Sequence, residues 1–175
     1  MSTSEYQQRI AAMRQELEAQ APNIALRMAQ TALTLQKRDI IQDGISVDGS
    51  FAEYSDKPVY KSSFKKKALN SAGSAYASSG GKGTWGEFRA AQGRKSDHVN
   101  LFYTGEMLGS LRIISQTQNG YRYSVLTGSD NADAIAKILA NLSRYGNFLL
   151  IPADRQKVLA SDAEIEVRTI IRKYL

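Results

Sequence analysis

The chain has 175 residues, 42% of them hydrophobic, with 23 basic and 17 acidic side chains, a single His and no Cys, for a formal net charge of +6. That length fits one domain with enough apolar residues for a core, and the missing Cys excludes a disulfide framework. The start, Met1 to Glu5, has no basic region followed by an apolar run, and no stretch approaches the roughly 18 apolar residues of a membrane span, so the expectation is a soluble chain made in a cytoplasm, with no membrane contact.

The charge is unevenly placed. Residues 54–98 hold nine basic side chains (Lys57, Lys61, Lys65, Lys66, Lys67, Lys82, Arg89, Arg94, Lys95) against three acidic ones (Asp56, Glu87, Asp97), and the rest of the chain balances at fourteen against fourteen. The whole excess therefore points to an anionic partner for one segment.

In chain order, Ile10, Met13 and Leu17 recur at helical spacing and predict an amphipathic helix over residues 4–20. Pro22 interrupts it. Proline is tolerated in a first helical turn, so the reading is a second helix from Ala21-Pro22-Asn23 to about residue 42, stopped by Asp43-Gly44. Its apolar stripe is broad, with Ile24, Met28 and Leu35 on one face and Leu26, Leu33 and Ile40 on the next, which predicts burial against two surfaces, of the core or of a neighbouring subunit. Residues 1–44 are thus the helical N-terminal part of the core.

Residues 45–99 read as a long basic arm or extended loop. The run 71–83 is rich in Ser, Ala and Gly and too poor in large apolar residues to fold alone, yet Phe51, Tyr54, Tyr60, Phe64, Tyr76, Trp85 and Phe88 recur through the segment. The expectation is an arm that is mobile in the free chain and ordered on a partner. Its contact residues would be Tyr60, Lys61, Phe64, Lys65, Lys66, Lys67 and Trp85. Three readings of them stay open: a nucleic-acid module with lysines on phosphates and rings stacking on bases, docking on an acidic protein surface, or a merely solvated arm.

Residues 100–175 read as a compact α+β core. Thr104 as cap, Glu106 in a first turn and Met107, Leu108 and Leu111 on one face predict a short helix delivering the chain into a strand, or a turn with a hydrophobic anchor. Asn119-Gly120 between 112–117 and 121–126 predicts a β-hairpin with Tyr121, Tyr123 and Val125 on one face. Ser129 or Asp130 would cap a helix with Ile135, Leu139 and Leu142 as its core stripe, closing at Arg144-Tyr145-Gly146. Residues 148–151 read as a short strand ended by Pro152, and 153–174 as a last helix on Leu159, Ala163, Val167, Ile170 and Tyr174. The class is α+β, with a small antiparallel sheet and its hairpin packed against N-terminal and C-terminal helices, plus the basic arm.

The residues suggest no reaction. His98 reads as a polar loop residue, Asp130 and Asp133 as helix-start carboxylates rather than a metal pair, and Ser79-Gly80-Gly81-Lys82-Gly83-Thr84 lacks the upstream strand and glycine spacing of a phosphate loop. No enzyme activity, metal or cofactor is expected.

Three short motifs occur in order: Thr104-Gly105-Glu106-Met107-Leu108-Gly109-Ser110-Leu111, then Tyr145-Gly146, then Phe148-Leu149-Leu150-Ile151-Pro152-Ala153. In order and spacing over residues 101–175, behind an N-terminal helical segment, they resemble the neck and tail-completion proteins of tailed bacteriophages. The chain departs from that pattern in two residues between Leu150 and Ala153 and in its longer basic excursion. The resemblance implies a structural virion protein that joins the portal-bearing head to the tail as a ring around the DNA channel. It would contact copies of itself, portal, adaptor or other neck proteins and tail proteins, with non-specific contact to DNA in the channel. Its location would be the virion neck or tail region after assembly in the host cytoplasm. Thr104, Gly105, Leu108, Leu111, Gly146 and Pro152 would form the structural junction of the compact half.

Overall fold

The computed structural model describes residues 2–119 and 122–175. The expected hairpin apex at Gly120 and the face position of Tyr121 lie outside the described residues.

A single helix, α1 (Thr3–Arg38), replaces the two expected. Its start is fixed by a capping box: Ser2 Oγ accepts the Glu5 N–H at 3.2 Å, and the Glu5 carboxylate accepts the Ser2 N–H at 2.6 Å. At 36 residues it is about 54 Å long. Pro22 sits inside it and has no N–H for the carbonyl of Glu18, four residues back. The Tyr123 hydroxyl donates to that carbonyl at 3.4 Å, so a partner from the hairpin stands where the helix lacks its own. A π-helical turn, Asp39–Asp43, follows and stops at Gly44 with φ +62°.

Two minimal strands, β1 (Ile45–Ser46) and β2 (Gly49–Ser50), pair antiparallel. Then come β3 (Val59–Tyr60), a 3-10 helix (Lys61–Lys67), α2 (Ser71–Ser78), β4 (Lys82–Gly83) and α3 (Trp85–Ala91). After α4 (Glu106–Gly109), strands β5 (Arg112–Asn119) and β6 (Arg122–Gly128) pair antiparallel from Arg112↔Gly128 to Asn119↔Arg122, with a register shift between Ile113 and Ser115. Helices α5 (Ala132–Tyr145) and α6 (Ala153–Arg172) complete an α+β fold.

The hairpin and α6 both pack on α1. Helix α6 runs antiparallel to α1, as its pairs show: Asp39 with Arg155, Arg27 with Glu166, and Glu16 with Lys173 and Tyr174. Asp39 is 1% exposed and accepts two N–H bonds from Arg155, at 3.0 and 3.2 Å, which supplies the pairing a buried carboxylate requires. The main core joins Ile40, Phe51, Val99, Met107, Leu108, Leu111, Ile138 and Phe148.

Several expectations are corrected. Thr104 caps nothing: Gly105 precedes α4 at φ +86°, and no side chain caps that helix. The cap of α5 is Asn131, whose side chain accepts the Ala134 N–H at 2.9 Å, while Asp130 pairs with Arg112. Ile135 and Leu139 do not face the core; they are 38% and 60% exposed, and Ala134 and Ile138 take the buried face. Residues 148–151 form a turn rather than a strand. Phe148 is buried, and its carbonyl accepts from Gln36 Nε2 at 3.4 Å instead of from a strand neighbour. His98 does lie in a loop, between α3 and α4; its Nδ1 is 3.3 Å from the Asp97 carboxylate, and its Nε2 is buried without a partner.

Candidate functional site

The largest correction concerns the arm. Residues 59–103 form a folded basic lobe with its own small core of Phe64, Ala77 and Phe88, edged by Tyr76, Trp85 and Tyr103. Few aliphatic residues are needed, because rings from three elements stack. Phe64 of the 3-10 helix lies on Phe88 of α3 at 4.7 Å and 9° between planes; Trp85 stands 5.4 Å from Phe88, and Tyr76 of α2 6.0 Å from it.

Polar side chains hold these short elements together. Thr84 and Glu87 form a capping box at the start of α3, and the Glu87 carboxylate also accepts the Tyr76 hydroxyl at 2.8 Å. The Thr84 N–H and the Tyr76 hydroxyl hold Glu87 below the usual carboxylate range, while burial and then the Glu87 bond push Tyr76 up to about 12. A Cβ on Gly83 would overlap the Tyr76 hydroxyl, so this pairing requires glycine on β4. Asn70 caps α2, and Gln92 ties it to α3 by accepting the Leu69 N–H at 2.8 Å.

Arg89 ties α3 to the segment 95–102, whose Val99, Leu101 and Phe102 pack in or against the main core. It is 2% exposed and donates to the carbonyls of Lys95 (2.9 Å) and Phe102 (3.1 Å) and to Asn100 Oδ1 (3.0 Å). Asn100 Oδ1 also accepts the Phe102 N–H at 3.2 Å and the Tyr54 hydroxyl at 3.3 Å. Burial draws Arg89 below, and Tyr54 above, their ordinary ranges. A cleft of about 320 Å³ opens at this seam, lined by Tyr54, Trp85, Arg89, Tyr103 and Lys137 among others.

Four rings of the lobe, Tyr60, Tyr76, Trp85 and Tyr103, carry a cation over a face. Lys61 lies 4.6 Å from the Tyr76 centroid, Lys67 5.3 Å from Trp85, Lys82 5.2 Å from Tyr60 and Arg94 5.4 Å from Tyr103. Among the described residues, no carboxylate oxygen lies within 4.0 Å of Lys61, Lys65, Lys66, Lys67 or Lys82.

No family model, curated protein or solved structure matches the chain. The site is therefore read from its own geometry.

The expected contact residues separate into two groups. Lys65, Lys66 and Lys67 are exposed and Tyr60 is 66% exposed, whereas Phe64, at 4%, belongs to the lobe core and faces no partner. Lys61 and Trp85 are half-buried and already engaged with Tyr76 and Lys67. The junction residues fare differently. Leu108 and Leu111 are core, Pro152 immediately precedes α6, and Gly146 has φ +76° with Asp48 so close that a Cβ would overlap its carboxylate. Sequence reasoning missed Arg89 and Asn100, which resemble surface polar residues in a charged run. Among the described residues, no cluster of three His, Cys, Asp or Glu is placed to hold a metal ion.

Proposed function

We propose that the chain is a structural, non-enzymatic subunit of a tailed-phage head–tail connector: a neck or tail-completion ring that joins head to tail around the DNA channel. The observation that carries this beyond the sequence resemblance is unspent surface. The chain exposes 11116 Å², whereas a folded monomer of 19.3 kDa is expected to expose about 8,500 Å². The excess of roughly 2,600 Å² is what a ring subunit would cover with two neighbours at about 1,300 Å² each, a size typical of obligate contacts.

Apolar side chains stand on that surface. Ile114 (43%) and Leu126 (57%) lie on the hairpin, Ile135 and Leu139 on α5, and Val158 (47%) and Ile165 (61%) on α6. The β5–β6 sheet has only two strands and so leaves an edge of each unpaired, a form that a neighbouring subunit commonly completes. The motif residues that carry the resemblance meet in one place: Leu108, Leu111 and Phe148 share the main core, with Tyr145 packed against it. In this reading the partners are further copies of the chain, portal or adaptor proteins and tail proteins, and the location is the virion neck.

The test is assembly. Mass photometry and electron microscopy of the chain, alone and co-expressed with the products of neighbouring genes, should show rings or stacked co-assemblies. A chain that stays monomeric in every combination overturns the proposal.

A further inference from the structure

The lysines of the lobe form a constructed surface. Between residues 58 and 96 there are eight basic side chains (Lys61, Lys65, Lys66, Lys67, Lys82, Arg89, Arg94, Lys95) and a single acidic one, Glu87, whose carboxylate is taken up by the Thr84 N–H and the Tyr76 hydroxyl. The 3-10 helix repeats every three residues, so Lys61, Phe64 and Lys67 stand in one row. Phe64 points into the ring stack, and the two lysines on either side of it rest on Tyr76 and Trp85, about 12 Å apart along the axis. Lys65 and Lys66 project from the remaining rows into water. The β3–β4 pairing sets Lys82 opposite Tyr60, beside Lys61, whose N–H bonds the Gly81 carbonyl at 3.0 Å.

This arrangement has two consequences. The ammonium groups over rings are held in place and, among the described residues, none has a carboxylate oxygen within 4.0 Å; Lys61, which donates to Ser79 Oγ at 3.3 Å, feels Glu87 only at longer range, so most of this charge faces solvent. The rings beneath them have one face already covered, which leaves Tyr60, 66% exposed, as the ring with the most area on which a base could stack. Protein interfaces are poor in Lys and depend on aromatic and Arg anchors, which here are buried or capped. A surface that supplies point charges without free anchors matches a partner that is itself a dense row of charge.

We propose that Lys61, Lys65, Lys66, Lys67 and Lys82 bind the phosphate backbone of duplex DNA by charge, without reading or stacking on bases. A duplex presents a phosphate charge about every 1.7 Å along its axis, so a row of about 12 Å meets several phosphates in any register. The inference rests on the lobe alone and stands or falls separately from ring assembly.

The experiment is fluorescence anisotropy of the full chain with labelled duplex DNA, with single-stranded DNA of equal phosphate number and with poly-glutamate, between about 50 and 200 mM salt. Five phosphate contacts predict a fall in duplex affinity of roughly 500-fold over that range, and the Lys65→Ala, Lys66→Ala, Lys67→Ala triple variant should reduce the fall to about 10-fold. The pair Lys65→Gln and Lys66→Gln leaves Lys67 on Trp85 and should give an intermediate slope; circular dichroism checks that both variants stay folded. Tyr60→Ala should change affinity less than about twofold, since a stacked ring would contribute more. Trp85, the single tryptophan, should keep its emission intensity on binding. No duplex binding, or a salt slope unchanged in the variants, overturns the proposal. Equal or tighter binding to poly-glutamate assigns the surface to an acidic protein instead. Tighter binding of the single strand with quenched Trp85 emission assigns it to base stacking.

Discussion

The main core and the basic lobe bury their side chains by different means. The main core is chiefly aliphatic and gathers residues far apart in sequence, from Ile40 to Phe148, so that α4, α5 and the π-helical turn after α1 hold one another. The lobe's own core has only three buried hydrophobic residues, Phe64, Ala77 and Phe88, and relies on packed rings, cations over those rings, two side-chain caps and the Gln92 and Arg89 bonds. Aromatic stacking with polar ties therefore lets a Ser- and Gly-rich segment fold where its aliphatic content is too low. The cations that serve this packing are also those left to face a partner.

The comparison breaks first at Phe88, which is 0% exposed. Phe88→Ala should cost about 3–5 kcal/mol. If the lobe is a separate cooperative unit, hydrogen exchange should rise through residues 59–103 and stay protected in α1, α5 and α6. Leu108→Ala, of similar cost at about 2–5 kcal/mol, should instead lower protection throughout. Identical exchange patterns for the two variants would make lobe and core one unit.

Arg89→Met tests the seam. It takes the Arg89 donor from the Lys95 and Phe102 carbonyls, while Asn100 Oδ1 keeps the Phe102 N–H and the Tyr54 hydroxyl, and a buried acceptor left unmet costs about 1–3 kcal/mol. The melting temperature should fall, with exchange rising at residues 95–103 before either flank. Loss confined to α2 would show that Arg89 serves the lobe interior instead.

A smaller effect is expected at Pro22. Tyr123→Phe removes the donor to the Glu18 carbonyl and should cost about 0.5–1.5 kcal/mol in chemical denaturation. In a Pro22→Ala background the backbone N–H at position 22 serves that carbonyl, so the same Tyr123 change should cost less, only what loss of the Gln118 Nε2 bond to the hydroxyl at 2.8 Å contributes in both backgrounds. Equal costs in both backgrounds would rule out the coupling.

The smallest effects are in pH. Absorbance titration should show Tyr76 still protonated until about pH 12, and Glu87→Gln should lower that value. A raised tyrosine pKa contributes stability below the unfolded value near 10, lost as pH rises through the folded value. At the acid end Glu16 is lowered by Lys173 and Tyr174, Glu106 by Lys137 and Glu87 by the Thr84 N–H and Tyr76. Their contribution is present above the unfolded value of about 4.5 and is lost as pH falls through the folded values, so acid melting should steepen below that pH. A melting temperature flat down to pH 3 would contradict it.

Much of this was readable from periodicity. The stripes of α1 and α6, the β5–β6 pair and the entry at Met107, Leu108 and Leu111 follow from apolar spacing and turn chemistry. What failed did so where distant groups decide. Pro22 reads as a boundary because its missing bond is met by Tyr123, about a hundred residues away. The sequence 148–151 reads as a strand, but Gln36 takes the carbonyl a ladder would need. The lobe was hidden because ring-on-ring stacking has no fixed sequence period, and Arg89 because burial of a guanidinium depends on carbonyls that only the fold assembles.

The backbone of a long helix with every carbonyl bonded internally is the same at each turn, so only side chains tell a hairpin lying on it one turn from the next. Pro22 removes that equivalence. By leaving the Glu18 carbonyl open, it gives α1 an address that the Tyr123 hydroxyl can find, so an apparent flaw in the helix becomes a backbone mark that adds to side-chain packing in placing the hairpin.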